Sequence, residues 1–208
     1  MNLEKYQQYS RIARGLEKAD LVLKDARIVN VFTEEIIRGD IAIQDGIIAG
    51  IGSFHGKEER DLAGRYVCPG FIDSHLHHLE STLVTPAELV TAASRHGTTT
   101  FIVDPHESAN VSGLAGIDYI LDQTEDVKAN VYVMMPSCVP ATAIDDNGCT
   151  LTAEDMAPYL HNSRILGLGE VMDSISVVQG EKSMHDKLEL FEGRIRDGHA
   201  PFLEEGDL

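Results

Sequence analysis

Two histidines one residue apart, in Asp73-Ser74-His75-Leu76-His77, carry the strongest chemical signal in the chain. On an extended strand, residues i and i+2 project from the same face. Two imidazoles held that way can share one divalent cation. The bland alternative is a pair of hydrogen-bonded polar histidines at a strand end. The run YVCPGFID (66–73) directly before them reads as a buried strand and favours the metal reading. His78 projects to the other face of a regular strand. It replaces His77 as a ligand only if the strand has bulged or ended, so the pair His75 and His77 is preferred.

Three further groups fall at predicted strand ends. Glu170 follows Gly167-Leu168-Gly169, and glycines there let a ligand or another backbone approach closely. A carboxylate so placed can bridge two metal ions; taken alone, it is more often a residue favoured by a following helix dipole. His199 sits in Asp197-Gly198-His199-Ala200-Pro201. A lone histidine is usually structural, but beside the first pair and Glu170 it becomes a candidate ligand to a second metal. Asp104-Pro105-His106-Glu107 forms a compact polar segment that lines a substrate pocket or is simply an Asp-capped loop. His55, His96, His161 and His185 fall in loops or helices and carry no assigned role. Gly50-Ile51-Gly52 lacks the third glycine and the helix of a dinucleotide fingerprint, His106-Glu107 is not followed by the histidine of a zinc-protease helix, and no PCxxC accompanies it.

The elements that must position these groups follow from the pattern of the chain. Residues 3–18 favour a helix, and residues 20–68 read as a small all-β unit with a hairpin at Asp45-Gly46. From about residue 69 strands alternate with helices. Strands are expected from about 70, 98, 130, 165 and 195. Helices are expected over 85–96, 111–123, 152–160 and 184–193, the first announced by Thr85, Pro86 and Glu88. Such alternation predicts a parallel sheet. The fold class is therefore α/β, as an open sheet or a (β/α)8 barrel cut partway round, and the barrel is preferred. A full barrel needs about 250 residues.

Composition narrows the function. The 208 residues are 43% apolar and 25% charged, with 34 acidic against 17 basic side chains and a net charge of −17. That charge excludes a grip on nucleic acid or on anionic membranes. No apolar run is long enough to span a bilayer. The polar N-terminus and three scattered cysteines (Cys68, Cys138, Cys149) point to the cytoplasm rather than secretion, so the sequon Asn110-Val111-Ser112 carries little weight.

PGFIDSHLH, with Glu and His at later strand ends, resembles the amidohydrolase superfamily. The segments HLESTLVTPAEL (78–89), HGTTTFIVDPHESANVSGLAGIDYIL (96–121), NVYVMMPSCVPAT (130–142), GLGEVM (167–172) and DGHAP (197–201) resemble its bacterial adenine deaminases over essentially the whole chain. The resemblance implies a metal-dependent hydrolase in two parts. One is a β-sandwich built from both chain ends, its N-terminal portion here in residues 20–68 after the helix of 1–19. The other is a TIM-like barrel, of which 69–208 would supply the first five β/α units. It implies two divalent metals, usually manganese or iron, with zinc possible. His75 and His77 match ligands of one metal, Glu170 the bridging carboxylate, and His199 the ligand on the fifth strand. Asp104 and His106 match a rim motif suited to substrate, with Glu107 and Glu80 as further carboxylates for catalysis. The implied reaction is hydrolysis of adenine to hypoxanthine and ammonia, by a homo-oligomer acting on a small molecule. Ring opening of a cyclic amide and an inactive truncated product are the alternatives.

Two departures from that family pattern matter. One surplus residue, His78 or a neighbour, follows the paired histidines. The later His of the sixth strand and Asp of the eighth have no counterpart before Leu208. The 208 residues alone are therefore expected not to deaminate adenine, and Val22, Ile28, Val29 and Ile41 to lose part of their cover.

Overall fold

The computed structural model describes residues 2–80, 83–142, 144–199, 201, 203 and 206. The chain forms two compact units, residues 1–69 and 70–208.

In the first unit, α1 (Leu3–Ala13) starts at Asn2, whose side chain accepts the N–H of Lys5. The helix ends five residues earlier than the composition suggested. Gly15 takes φ +70°, and the N–H groups of Gly15 and Leu16 turn back onto the carbonyls of Ile12 and Arg11. That is a glycine-terminated cap. Strands β1 (Ala19–Asn30), β2 (Glu35–Gln44), β3 (Ile47–Gly52), β4 (Gly56–Asp61) and β5 (Tyr66–Val67) follow. They form one mixed sheet ordered β3-β2-β1-β4, with β5 also on β1. Asp45 and Gly46 both have positive φ and close the β2–β3 hairpin as the sequence predicts. The expected loss of cover is corrected by this sheet. Val22 packs with Ile12 of α1, Ala42 and Phe54, while Ile28 and Ile41 pack with Ala26, so these three are buried and Val29 is half-buried. The exposed apolar side chains are others, Phe32, Ile36 and Ile48 among them.

Asp40 holds this unit's polar centre. Its carboxylate accepts the N–H groups of Asp25 (3.1 Å) and Phe54 (3.2 Å) and the ammonium of Lys24. Burial alone would raise its pKa, but Lys24 and the two N–H groups outweigh it and hold the carboxyl below the usual aspartate range. A lowered folded pKa adds stability above the unfolded value near 3.9, lost as pH falls through the folded value. Asp40→Ala leaves Lys24 with the Phe54 carbonyl alone (2.8 Å) and strands two N–H groups. The expected cost at pH 7 is about 2 kcal/mol, shrinking as pH drops below about 4, read from denaturant midpoints.

In the second unit, five strands pair in parallel and in strict chain order: β6 (Phe71–Leu76), β7 (Thr98–Val103), β8 (Asn130–Pro136), β9 (Ile165–Gly169) and β10 (Ile195–Arg196). An order that never reverses is that of a (β/α)8 barrel, and a doubly wound sheet would switch direction. The unit is a partial barrel. Its helices are α2 (Pro86–Ser94), α3 (His106–Ser112), α4 (Leu114–Gln123), α5 (Ala153–Met156), α6 (Ser174–Gln179) and α7 (Lys182–Leu190). Phe101, Val103, Val131, Val133 and Ile165 of the strands are buried in one cluster with Ile117 and Ile120 of α4 and Phe191. Each such side chain contributes about 1.5–3 kcal/mol of burial. Thr85 and Glu88 form the reciprocal cap that opens α2.

Four features differ from the sequence expectation. Gly113, at φ +61°, breaks 111–123 into α3 and α4. A helix rather than a loop begins at His106, because the Glu80 carboxylate accepts the N–H of Ser108 at 2.8 Å. The fifth strand shrinks to two residues as Asp197 turns its side chain toward Glu170. Helix α6, unforeseen, starts at Asp173, which accepts the N–H of Ser176. Among the described residues no helix is long and apolar enough to cross a membrane.

Candidate metal centre

The polar residues singled out by sequence lie at or just beyond the C-terminal ends of the parallel strands. His75 and His77 are at β6, Asp104 follows β7, Glu170 follows β9 and His199 follows β10. In barrels of this type that end carries the chemistry.

Glu170 is the hub. Its Oε1 lies 2.8 Å from His199 Nε2, 3.1 Å from His75 Nε2 and 3.3 Å from His77 Nε2. Its Oε2 lies 3.2 Å from His106 Nδ1, which also meets the Asp104 carboxylate in a short hydrogen bond. Glu170 has φ +40°, unusual for a residue with a side chain. Its N–H donates to Asp197 Oδ1 (2.9 Å), and its carbonyl accepts the Ser137 hydroxyl (2.8 Å).

His77 is oriented from behind. Its Nδ1 lies 2.7 Å from the carbonyl oxygen of Asp104. A carbonyl only accepts, so Nδ1 carries the proton and Nε2 turns its lone pair to the centre. Glu80 Oε1 stands 3.3 Å from the same Nδ1, and its side chain is almost fully buried. It therefore sits on the outer side of His77, away from Nε2. Glu107 is exposed, with Oε2 3.7 Å from His77 Nδ1. Asp104 and His106 are not on an open rim: they are 1% and 7% exposed, packed beside Glu170.

The electrostatics suit a cation. Burial pushes Glu170 upward, but the His199 hydrogen bond and the imidazoles of His106, His77 and His75 hold it below the usual range. Burial opposes protonation of His77, yet the carboxylates of Glu170 and Glu107 and the Asp104 carbonyl raise its pKa. Asp104 is pushed up by burial despite His106, and its Oδ2 is buried with no hydrogen-bond partner among the described residues. His75 and His77 also bring their Nε2 atoms to 3.0 Å. One ligand atom each from His75, His77 and Glu170 lies within 4.8 Å of the others. Nitrogen and carboxylate donors so gathered fit a divalent transition metal at bond lengths of about 2.0–2.2 Å.

His78 lies in a short 3-10 turn (His78–Glu80) with its side chain exposed, while Leu79 fills the core. The β6–β7 register is irregular between Asp73 and Leu76, yet His75 and His77 still meet. Metal analysis should show that His78→Ala keeps its metal and His77→Ala loses it. The reverse would mean that the register differs from that described.

Ser137 and Asp197, which clamp Glu170 through its backbone, were not assigned roles from sequence. Their signal was positional, since both immediately follow a strand that points at the centre. A cavity of about 580 Å³ opens on the site, walled by His77, His106, Glu107, Asn110, Cys138 and Glu170. That volume falls within the range of small-molecule pockets.

Residues 66–196 match the amidohydrolase family. Over 208 residues the chain is 56% identical to an adenine deaminase of Desulfitobacterium hafniense, covering 100% of this chain and 36% of that protein. It is 48% identical over 197 residues to adenine deaminase 2 of Carboxydothermus hydrogenoformans, covering 95% of this chain and 34% of that protein. The chain thus spans about a third of the length of these curated relatives. Among solved structures, a D-hydantoinase aligns with a TM-score of 0.52 at 23% identity, over 72% of this chain and 32% of that one. The zinc complex of an atrazine chlorohydrolase from Arthrobacter aurescens aligns with a TM-score of 0.56 at 13% identity, over 72% of this chain and 46% of that one. Both likenesses are of fold.

Proposed function

Because the chain belongs to the amidohydrolase family, we propose that it carries the metal-binding part of an adenine deaminase, hydrolysing adenine to hypoxanthine and ammonia. The observation that carries this reading is whole-chain similarity to adenine deaminases, joined to a histidine and carboxylate cluster on one cavity. His75 and His77 would hold one divalent cation and His199 a second, with Glu170 between them and manganese the first candidate. When bound, such cations supply Lewis-acid activation of water at neutral pH.

The chain's own groups do the rest. Glu170 presents one oxygen to three imidazoles, and His106 fixes the other. The Asp104 carbonyl keeps the His77 proton on Nδ1. Glu107, exposed on the cavity wall that it shares with Glu170, would accept a proton from the attacking water and return it to the departing amino nitrogen. General acid–base help of this kind is worth about 10²–10⁴-fold. The apolar side chains of Val111 and Met172 in the same wall suit the faces of a purine ring. A role in purine salvage and a homo-oligomeric whole enzyme follow from the resemblance, and the three free cysteines fit a reducing cytoplasm.

The test is ammonia release from adenine by the whole purified protein with Mn²⁺. Glu107→Gln should lower kcat by about 10²-fold or more while the bound metal stays unchanged. Hydrolysis of a cyclic amide with no ammonia from adenine would overturn the substrate assignment.

A further inference from the structure

We propose that Lys187 is a positioning residue for Glu170, acting through Ser137, an inference that builds on the reading of Glu170 as a metal ligand. Lys187, on α7, is 7% exposed. Its ammonium donates to the Ser137 carbonyl at 2.7 Å, a neutral acceptor. The carboxylates that favour its charge, Asp155 and Asp173, are occupied as helix caps, accepting the N–H groups of Thr152 (2.8 Å) and Ser176 (2.9 Å). Burial pushes the Lys187 ammonium below the usual lysine range. A buried cation resting on a backbone oxygen is a poor choice for stability alone, since an apolar side chain would fill the same space without desolvating a charge.

What the ammonium does hold is Ser137, which is fully buried. Ser137 is stitched to the end of β9 twice. Its N–H donates to the Gly169 carbonyl (3.2 Å) and its hydroxyl to the Glu170 carbonyl (2.8 Å). Asp197 takes the Glu170 N–H from the other side. Glu170 is thereby kept at positive φ, the conformation in which its carboxylate reaches His75, His77 and His199. Relaxation of that backbone to negative φ would swing the carboxylate off the histidines. The Ser137-Cys138 segment thus gains a role: it is the brace, and Lys187 pins it.

The experiment compares the whole protein with its Lys187→Met, Lys187→Arg and Ser137→Ala variants. Hydrogen exchange across residues 168–172 is measured without metal, Co²⁺ binding is followed by its visible absorption bands, and metal-free melting is recorded. Lys187→Met and Ser137→Ala should speed exchange in that segment by about tenfold, with the rest of the chain unchanged. They should weaken Co²⁺ by about 10–100-fold, as loss of groups behind a metal ligand does. Lys187→Arg should restore both, and metal-free Lys187→Met should melt no lower than the parent. Unchanged exchange in 168–172, or exchange raised throughout the second unit, overturns the proposal whatever the affinity. Should Lys187→Met fail to fold, Ser137→Ala, which removes one hydroxyl, carries the same comparison. Should the parent take up no Co²⁺, the metal reading falls and the exchange data alone decide the brace.

Discussion

On the proposed reading, Glu170→Gln in the whole protein should cost the centre its metal and lower ammonia release from adenine by at least about 10²–10⁴-fold. The change keeps size and shape and removes only the charge and one acceptor. In the parent, one oxygen faces three imidazole nitrogens between 2.8 and 3.3 Å while the other faces His106. An amide offers a single oxygen and turns two N–H donors toward whichever side it does not face. It therefore cannot serve both sides of the cluster. The metal-free protein should respond as well. Glu170 titrates below the usual range in the folded state, so its charge stabilises the fold above the unfolded pKa near 4.3 and loses that effect as pH falls through the folded value. The Gln variant should thus melt lower than the parent near neutral pH and converge with it in acid. Elemental analysis, ammonia release and melting against pH measure the three parts. A variant that retains full metal and activity would remove Glu170 from the centre of the reaction.

Gly169→Ala should be nearly as damaging, though residue 169 has no side chain to contribute. A Cβ built there falls 2.1 Å from Asp104 Oδ2 and 2.7 Å from the Met134 Cβ. Asp104 and Met134 are 1% and 2% exposed, so neither has room to retreat. Overpacking of this kind costs about 1–3 kcal/mol, and the rigidity of both neighbours places this site at the upper end. The displaced Asp104 carries His106 with it, and His106 supports Glu170. Co²⁺ affinity should therefore fall at least about tenfold, as for loss of a group behind a ligand. Denaturant midpoints and Co²⁺ titration check the two effects. An alanine variant of parental stability and affinity would show that the strand ends can part without consequence.

The local signals in the sequence were enough for several parts of this protein. The i and i+2 spacing of His75 and His77 brought both imidazoles to one face even though β6 ends at Leu76. Thr85 and Glu88 formed the cap of α2, and Asp45-Gly46 formed its turn. These features depend on torsions and periods within a few residues, which the sequence carries directly. The alternation of strand and helix was sufficient for the parallel sheet.

The rest depended on partners distant along the chain. Glu80 starts α3 by accepting an N–H 28 residues away, so a segment that reads as a loop becomes a helix and draws His106 inward. The N-terminal strands join into one mixed sheet, with α1 covering Val22. Asp197 and Ser137 hold Glu170 through its backbone from the ends of two other strands, and Lys187, on a helix, donates to the Ser137 carbonyl. No pattern of residue types marks these contacts, because each is made by an ordinary polar side chain whose role is set by what burial places beside it. Sequence determined which groups could bind a cation and on which strand ends they stand. Tertiary structure decided that those ends meet on a single carboxylate, since only the parallel pairing of β6 to β10 in chain order brings residues 75, 77, 106, 170 and 199 together.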